Sequence, residues 1–194
     1  MEKVSYALGL SLGSNLLSSG ITTINYAKLA KGIQDVFEQN EPEISAEEAQ
    51  AVINGFFEEL QNKMSEQGQS AGKAFLEANA ARSEVVTLSS GLQYEVITEG
   101  NGSTPTASDS VKVHYHGTTI DGKVFDSSVQ RGEPATFGVT QVISGWVEAL
   151  QLMPVGSKWK LFIPSDLAYG AQGAGQAIPP HTALIFEVEL LAIV

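Results

Sequence analysis

The sequence predicts an α+β protein: a helical front followed by an antiparallel sheet wrapped on one short helix. Three observations carry that expectation. Composition changes near residue 84: before it only Pro42 interrupts helix-compatible sequence, and after it come six of the seven prolines and most of the glycines. The later part holds several runs in which apolar and polar residues alternate, the period of a half-buried strand. Within it, Gln141–Gly156 reads QVISGWVEALQLMPVG, with Ile143, Trp146, Val147 and Leu150 on one face of a short helix. Gly145 stands near the start of that helix, and Pro154 with Gly156 closes it. The division expected is a helical domain over 1–44, a long connecting helix over 45–84 and a β-rich domain over 85–194.

The totals narrow the function classes. The 194 residues suffice for one large domain or two small ones, and an apolar fraction of 43% can fill a core. A net charge of −11 argues against a nucleic-acid partner, which would need a basic patch. With no cysteine there is neither a disulfide framework nor a thiolate nucleophile. No apolar run approaches the roughly eighteen residues of a membrane span. The start, MEKVSYALGLSLGSNL, holds one lysine and no continuous apolar stretch, so it does not read as a secretory signal. A cytoplasmic location is expected, or a periplasmic one if the native start carries a removed signal.

In chain order, the front reads as three helices. Val4, Ala7, Leu8, Leu12 and Leu16 recur at helical spacing, and Gly20 stops that helix. Asn25 can cap a second helix, whose stripe is Tyr26, Leu29, Ala30, Ile33, Val36 and Phe37. After the turn EPEI, Ser45 and Glu48 form a capping box. The helix it opens runs to about Arg82, about 38 residues or roughly 57 Å. Its first half carries Ala49, Val52, Ile53, Phe56, Phe57, Leu60 and Met64. Its second half is polar, with Gly68 and Gly72 as weak points costing about 1 kcal/mol each relative to Ala.

Three helices with so little apolar mass cannot close a core alone. Either a second copy or the back domain covers them. The polar second half of the long helix reads as a solvated strut, which favours a homodimer through the front. The glutamate pairs Glu47–Glu48 and Glu58–Glu59 read as solvated helix surface.

The back alternates. Leu92, Tyr94 and Val96 share one strand face; Val111, Val113 and Tyr115 share another, with Lys112, His114 and His116 opposite. Asp121–Gly122 is a hairpin turn, and Ala135–Val139 is a further short strand. Trp159, Leu161 and Ile163 face one way, as do Leu184, Phe186, Val188 and Leu190, with Glu187 and Glu189 turned outward. About five strands are expected, with the helix across their concave face as the only available cover.

Six aromatic side chains converge on this sheet: Tyr115, Phe125, Phe137, Trp146, Tyr169 and Phe186. They either fill a core or wall a cavity. Asp126 follows Phe125 at the edge of the set. It reads as a turn residue or as the partner of Arg131, five residues on. The glycine-rich run AYGAQGAGQAIPP at 168–180 lacks the GK[ST] ending of a phosphate cradle and suits a mobile flap. His114 and His116 lack a third ligand at useful spacing, so no metal is expected and they read as solvent-face residues. No serine stands in a nucleophile elbow.

The strings VKVHYHGTTIDGKVFDSS, QVISGWVEAL, MPVGSKWKLFIP, LAYGAQG and IPPHTALIFEVELL resemble the FKBP-type peptidyl-prolyl isomerases, in the right order over about 85 residues. With SYALGLSLGSNLLSSGI, AKGIQDVF, KAFLEANAA and SGLQYEVITEGNG, the whole chain is similar to the Mip-like bacterial branch. That branch forms V-shaped dimers with a helical front domain and a long connecting helix. The resemblance implies isomerisation of Xaa–Pro bonds during protein folding, with no cofactor and no metal.

It also implies roles. Trp146 is the floor under the proline ring. Tyr169 and the Ile143 amide hold the substrate carbonyl. Asp126, oriented by Tyr115 and Arg131, faces the twisting imide, and Phe125, Phe137, Val142, Ile178 and Phe186 complete the pocket. Departures stand at Ala135, Ala174 and Ala177, where relatives carry larger side chains; they bear on the size of the outer subsite. The implied partners are unfolded proline-containing proteins, a second copy of the chain, and FK506- or rapamycin-type macrolides as inhibitors. The rival expectation is a holdase chaperone working through the dimer cleft, with isomerisation secondary. A silent binding module is the weaker third.

Overall fold

The computed structural model describes residues 1–175 and 177–194. It divides into two compact units, Met1–Asn62 and Lys63–Val194. The boundary falls inside a single long helix.

The first unit contains α1 (Glu2–Ser18), α2 (Tyr26–Glu38) and the start of α3 (Ala46–Ala80). Their ends follow the sequence signals. The Ile21 N–H reaches the Leu16 carbonyl and the Gly20 N–H the Leu17 carbonyl, each at 3.0 Å, with Gly20 at φ +84°. This is a Schellman close, which requires a left-handed residue. Asn25 Oδ1 accepts the Lys28 N–H at 3.0 Å, and Ser45 Oγ accepts the Glu48 N–H at 3.1 Å. No residue of α1 is buried, and α2 buries only Asp35, among the described residues.

The second unit is built on a sheet of seven strands: β1 (Val85–Thr87), β2 (Gln93–Thr98), β3 (Ser110–Thr119), β4 (Val124–Ser127), β5 (Ala135–Gly138), β6 (Lys158–Ile163) and β7 (Leu184–Ile193). Their order is β1-β2-β6-β7-β3-β4, with β5 also on β3, and all pairings are antiparallel. The sequence predicts about five strands. The hairpin at Asp121–Gly122 and the short strand at 135–139 are where the sequence places them, as β4 and β5; β1, with three residues, is too short for alternation to separate it from loop.

One face of the sheet wraps α5 (Ser144–Leu150), which buries Trp146, Ala149 and Leu150 against Leu161, Ile163, Leu184 and Val188. Gly145 permits the approach: a Cβ there would stand 2.5 Å from Ile163 Cγ2.

The second half of α3 is not a solvated strut. Phe75 meets Phe162 with ring centroids 6.0 Å apart. The Gln93 amide donates to the Leu76 carbonyl at 2.9 Å and accepts from Asn79 Nδ2 at 2.8 Å, both side chains being buried. A Cβ on Gly72 would stand 3.3 Å from Ala183 Cβ, and one on Gly68 only 2.5 Å from the Pro180 carbonyl oxygen. The glycines that look like weak points are where the backbone must come close. Polar composition hid a contact face made of two glycines, Phe75, Leu76 and Asn79.

Candidate active site

Alternation on β3 points Val111, Val113 and Tyr115 toward α5, while β4 brings Phe125 and Asp126 alongside. A 3-10 turn, Val139–Gln141, leads into α5 and presents Val142 and Ile143. Together with Phe137, Trp146, Phe186 and Tyr169 they line a cavity of about 460 Å³. Trp146 is its hub. The indole ring meets Tyr115, Phe137 and Phe186 edge-on, with centroids 5.4, 6.0 and 5.3 Å away. Phe125 meets Phe186 the same way at 5.3 Å. Gly117 makes room for that pair, since a Cβ there would fall 2.7 Å from a carbon of each ring. Among the described residues, the buried Trp146 Nε1 has no hydrogen-bond partner, so the floor presents no saturated polar network.

The polar groups collect at one edge. Tyr115 Oη donates to Asp126 Oδ2 at 2.5 Å, Arg131 Nη1 pairs with Asp126 Oδ1, and Arg131 Nη2 donates to Tyr115 Oη at 2.8 Å. Arg131 ends α4 (Ser128–Arg131), and its guanidinium also lies over the Tyr115 ring at 5.5 Å. Burial alone would raise the Asp126 carboxyl. The hydrogen bonds from Tyr115 and Arg131, with the guanidinium charge, outweigh it and hold Asp126 below the usual carboxylate range. Burial, reinforced by Asp126, pushes the Tyr115 phenol up, so it remains a donor. Asp126 is therefore a paired carboxylate within β4 and not a free turn residue.

Tyr169 stands at the mouth, 39% exposed, in the bridge region of backbone space at φ −104°, ψ 0°. Ile143 is the N-cap of α5, and its carbonyl accepts the Trp146 N–H at 2.9 Å. An N-cap amide lies outside the intrahelical ladder and is free to serve the cavity.

Two expected pocket residues stand elsewhere. Ile178, 3% exposed, belongs to the core, and Arg131 acts from behind Asp126. In the segment 168–180, Gln176 lies outside the described residues. Gln141 lines the cavity and carried no signal, being a lone polar residue in an irregular turn. His114 and His116 are half-buried and bonded to Ser128 and Ser127, which departs from the solvent-face expectation. A larger groove, about 620 Å³, runs between α3 and residues 164–167; it mixes Lys73, Glu77, Asp166 and His181 and has no aromatic wall.

No helix among the described residues is long and apolar enough to cross a membrane. Residues 101–191 match the family described as FKBP-type peptidyl-prolyl cis-trans isomerase, and residues 1–96 match the domain amino terminal to it. The chain is 46% identical to the FKBP-type 22 kDa peptidyl-prolyl cis-trans isomerase of Escherichia coli K12, covering 98% of this chain and 94% of that one. It is 45% identical to the outer membrane protein MIP of Legionella longbeachae, over 99% of this chain and 85% of that protein. The crystal structure of FkpA from Escherichia coli superposes with a TM-score of 0.78 at 38% identity, covering 98% and 95% of the two chains. Wrapped sheet, aromatic cavity and both family matches agree: the chain belongs to the FKBP-type peptidyl-prolyl cis-trans isomerases.

Proposed function

We propose that the chain accelerates isomerisation of Xaa–Pro bonds in folding proteins, with the proline ring seated in the Trp146 cavity. The observation that carries this is the cavity of about 460 Å³, apolar across its floor with one paired carboxylate at its edge. The barrier to be lowered is roughly 18–20 kcal/mol, set by amide resonance. When the bond twists, conjugation is lost and charge separation falls. A dry aromatic site therefore favours the twisted state over the planar one, which is differential binding. Each ~1.4 kcal/mol of that preference is about tenfold in rate.

In this reading Tyr169 and the Ile143 amide fix the substrate carbonyl. Tyr115, Phe125, Phe137, Val142 and Phe186 wall the ring, and Ile178 backs them from the core. Asp126, held by Arg131, faces the imide nitrogen. The same apolar site would take FK506- or rapamycin-type macrolides as inhibitors. The test is cis-to-trans exchange of a short peptide with Phe before Pro. Fast exchange is expected, falling in Tyr169→Phe and Asp126→Ala; no acceleration by the folded protein would overturn the reading.

We further propose that residues 1–44 are a homodimerisation domain, carried on the helix 45–84, and that the dimer holds unfolded chains. Support comes from the apolar side chains that unit 1 leaves exposed, Phe37 at 85% and Tyr26 at 80% among them. A fragment of residues 63–194 should keep activity on short peptides and lose most of it on a protein substrate. Equal refolding by fragment and whole chain would remove the chaperone part and leave the isomerase.

A further inference from the structure

On β3, Tyr115 faces the cavity while its neighbours His114 and His116 face the other side of the sheet. His116 Nδ1 lies 3.0 Å from Ser127 Oγ, and His114 Nδ1 lies 3.1 Å from Ser128 Oγ. Both serines are buried, and both directly follow Asp126 in the chain. Each also has a second task. Ser127 Oγ caps α4 by accepting the Gln130 N–H at 3.1 Å. Ser128 Oγ accepts the Tyr115 N–H at 2.7 Å, tying the first residue of α4 to the backbone of the cavity tyrosine. α4 has only four residues, and its last one supplies the guanidinium that holds Asp126 and Tyr115. A helix this short has no stability of its own; its placement is set by what grips its first turn.

We propose that His114 and His116 are positioning residues of the isomerase site. Gripping Ser128 and Ser127 from the far face of the sheet, they fix α4 and with it the Arg131–Asp126–Tyr115 array. The inference rests on the reading of that array as part of the active site.

The chemistry of the pairs suits the task. Each serine hydroxyl has a second acceptor in the Tyr115 carbonyl, 3.5 Å from Ser127 Oγ and 3.3 Å from Ser128 Oγ. When a ring Nδ1 is unprotonated, the hydroxyl donates to it. When Nδ1 carries a proton, the ring donates and the hydroxyl hydrogen turns to the carbonyl. The serine stays in place either way. Around the rings, β7 sets Glu187 opposite His116 and Glu189 opposite His114, and β6 sets Lys160 and Lys158 opposite those glutamates. A leucine at either histidine keeps the bulk and removes the grip. An asparagine restores a polar group near the Nδ1 position.

The test uses full-length protein below its unfolding transition. His116→Leu and His114→Leu should each lower kcat/KM by about fivefold, through kcat with KM unchanged. The matching Asn variants should recover most of the loss. Ser127→Ala, which removes the hydroxyl that meets His116 and also caps α4 at the Gln130 N–H, should cost at least as much as His116→Leu, and the double variant should be no worse than Ser127→Ala alone. NMR of the Asp126 carboxyl carbon should show its titration moving up toward the ordinary value of about 3.9 in the Leu variants. Parental kcat and an unmoved Asp126 titration in both Leu variants and in Ser127→Ala would overturn the inference alone, provided Asp126→Asn is impaired. An unimpaired Asp126→Asn would overturn the site reading, and the inference with it.

Discussion

The two units meet the same demand, covering apolar side chains, in opposite ways. In residues 63–194, Leu161, Ile163, Leu184 and Val188 are 0% exposed, because the sheet curls on α5 and supplies its own partner surface. In residues 1–62 no apolar side chain is buried among the described residues, and Phe37, Tyr26 and Val36 stand 85%, 80% and 77% exposed. The difference is not one of periodicity, since α2 is sharply one-sided. α1 instead carries apolar groups all round, with Val4, Tyr6, Leu8, Leu10 and Leu17 exposed. A helix apolar on every side is a buried helix. Periodicity therefore specifies a face and leaves open what covers it. The sheet answers that within one chain, and for the helices the proposed second copy would answer it.

The sharpest way to break this contrast is to shorten one leucine on each side of it. Leu161→Ala should cost about 2–5 kcal/mol in urea unfolding of the sheet domain, the range for emptying a fully buried site. Leu8→Ala, 66% exposed in the single chain, should leave that transition where it is. Near-equal losses would mean that the two units share one core.

Next in size is the proposed dimer. Phe37→Glu puts a charge into the exposed stripe of α2, where Leu29, Gly32, Ile33 and Val36 form an apolar groove. In sedimentation the dimer constant should weaken by at least about a hundredfold, or ~2.7 kcal/mol. Exchange of a short peptide should stay within about twofold of the parent, since the cavity is built wholly from residues 115–186. A collapse of peptide exchange would show that the units are not independent.

How much the sequence discloses follows the same divide. Alternation located β2, β3, β6 and β7 and the buried face of β3, β6 and β7; on β2 it failed, since Gln93 is buried and Val96 is 45% exposed. The helical stripe at 141–156 located α5. Cap chemistry at Asn25 and Ser45 located two helix starts to the residue. The cavity list came through resemblance to a family, because no local pattern distinguishes Phe125 or Phe137 as wall from core. What escaped notice was contact without hydrophobicity. Gln93 and Asn79 bury amides against each other, and Gly68 and Gly72 bury backbone. Likewise His114 and His116 bond serines across a strand pair, a relation that depends on β3–β4 register and has no linear signature.

A third prediction concerns the carboxylate in the cavity edge. Its pairing with Tyr115 and Arg131 depresses the folded-state value of Asp126 below its unfolded one. Such a group contributes stability above the unfolded value of about 3.9, which is lost as pH falls through the folded value. The acid limb of kcat/KM assigned to Asp126 should therefore lie below about pH 3.9. In Arg131→Gln it should move up toward that value while the sheet domain remains folded. An acid limb already at the ordinary position in the parent would mean that Arg131 does not hold the carboxylate in solution.

The smallest effect tests the contrast within a single helix. Gly55 and Gly68 both lie inside α3, one on each side of the unit boundary. On propensity alone, alanine at either should stabilise by about 1 kcal/mol. At Gly55 a Cβ meets nothing within 4 Å, so that gain should be realised. At Gly68 it would come 2.5 Å from the Pro180 carbonyl oxygen and 3.3 Å from the His181 carbonyl carbon. Backbone cannot yield as a flexible side-chain tip can, and forced overpacking costs about 1–3 kcal/mol. Gly68→Ala should therefore destabilise, by about 1 kcal/mol after the propensity gain is offset. Denaturant unfolding of the two variants decides between signs, which is a stronger reading than a difference in size. Opposite signs would show that the same helix is a free surface over one stretch and a packed wall over the other. A gain in both would return the second half of α3 to the solvated strut its composition suggests, and the sheet domain would then have to be stable without it.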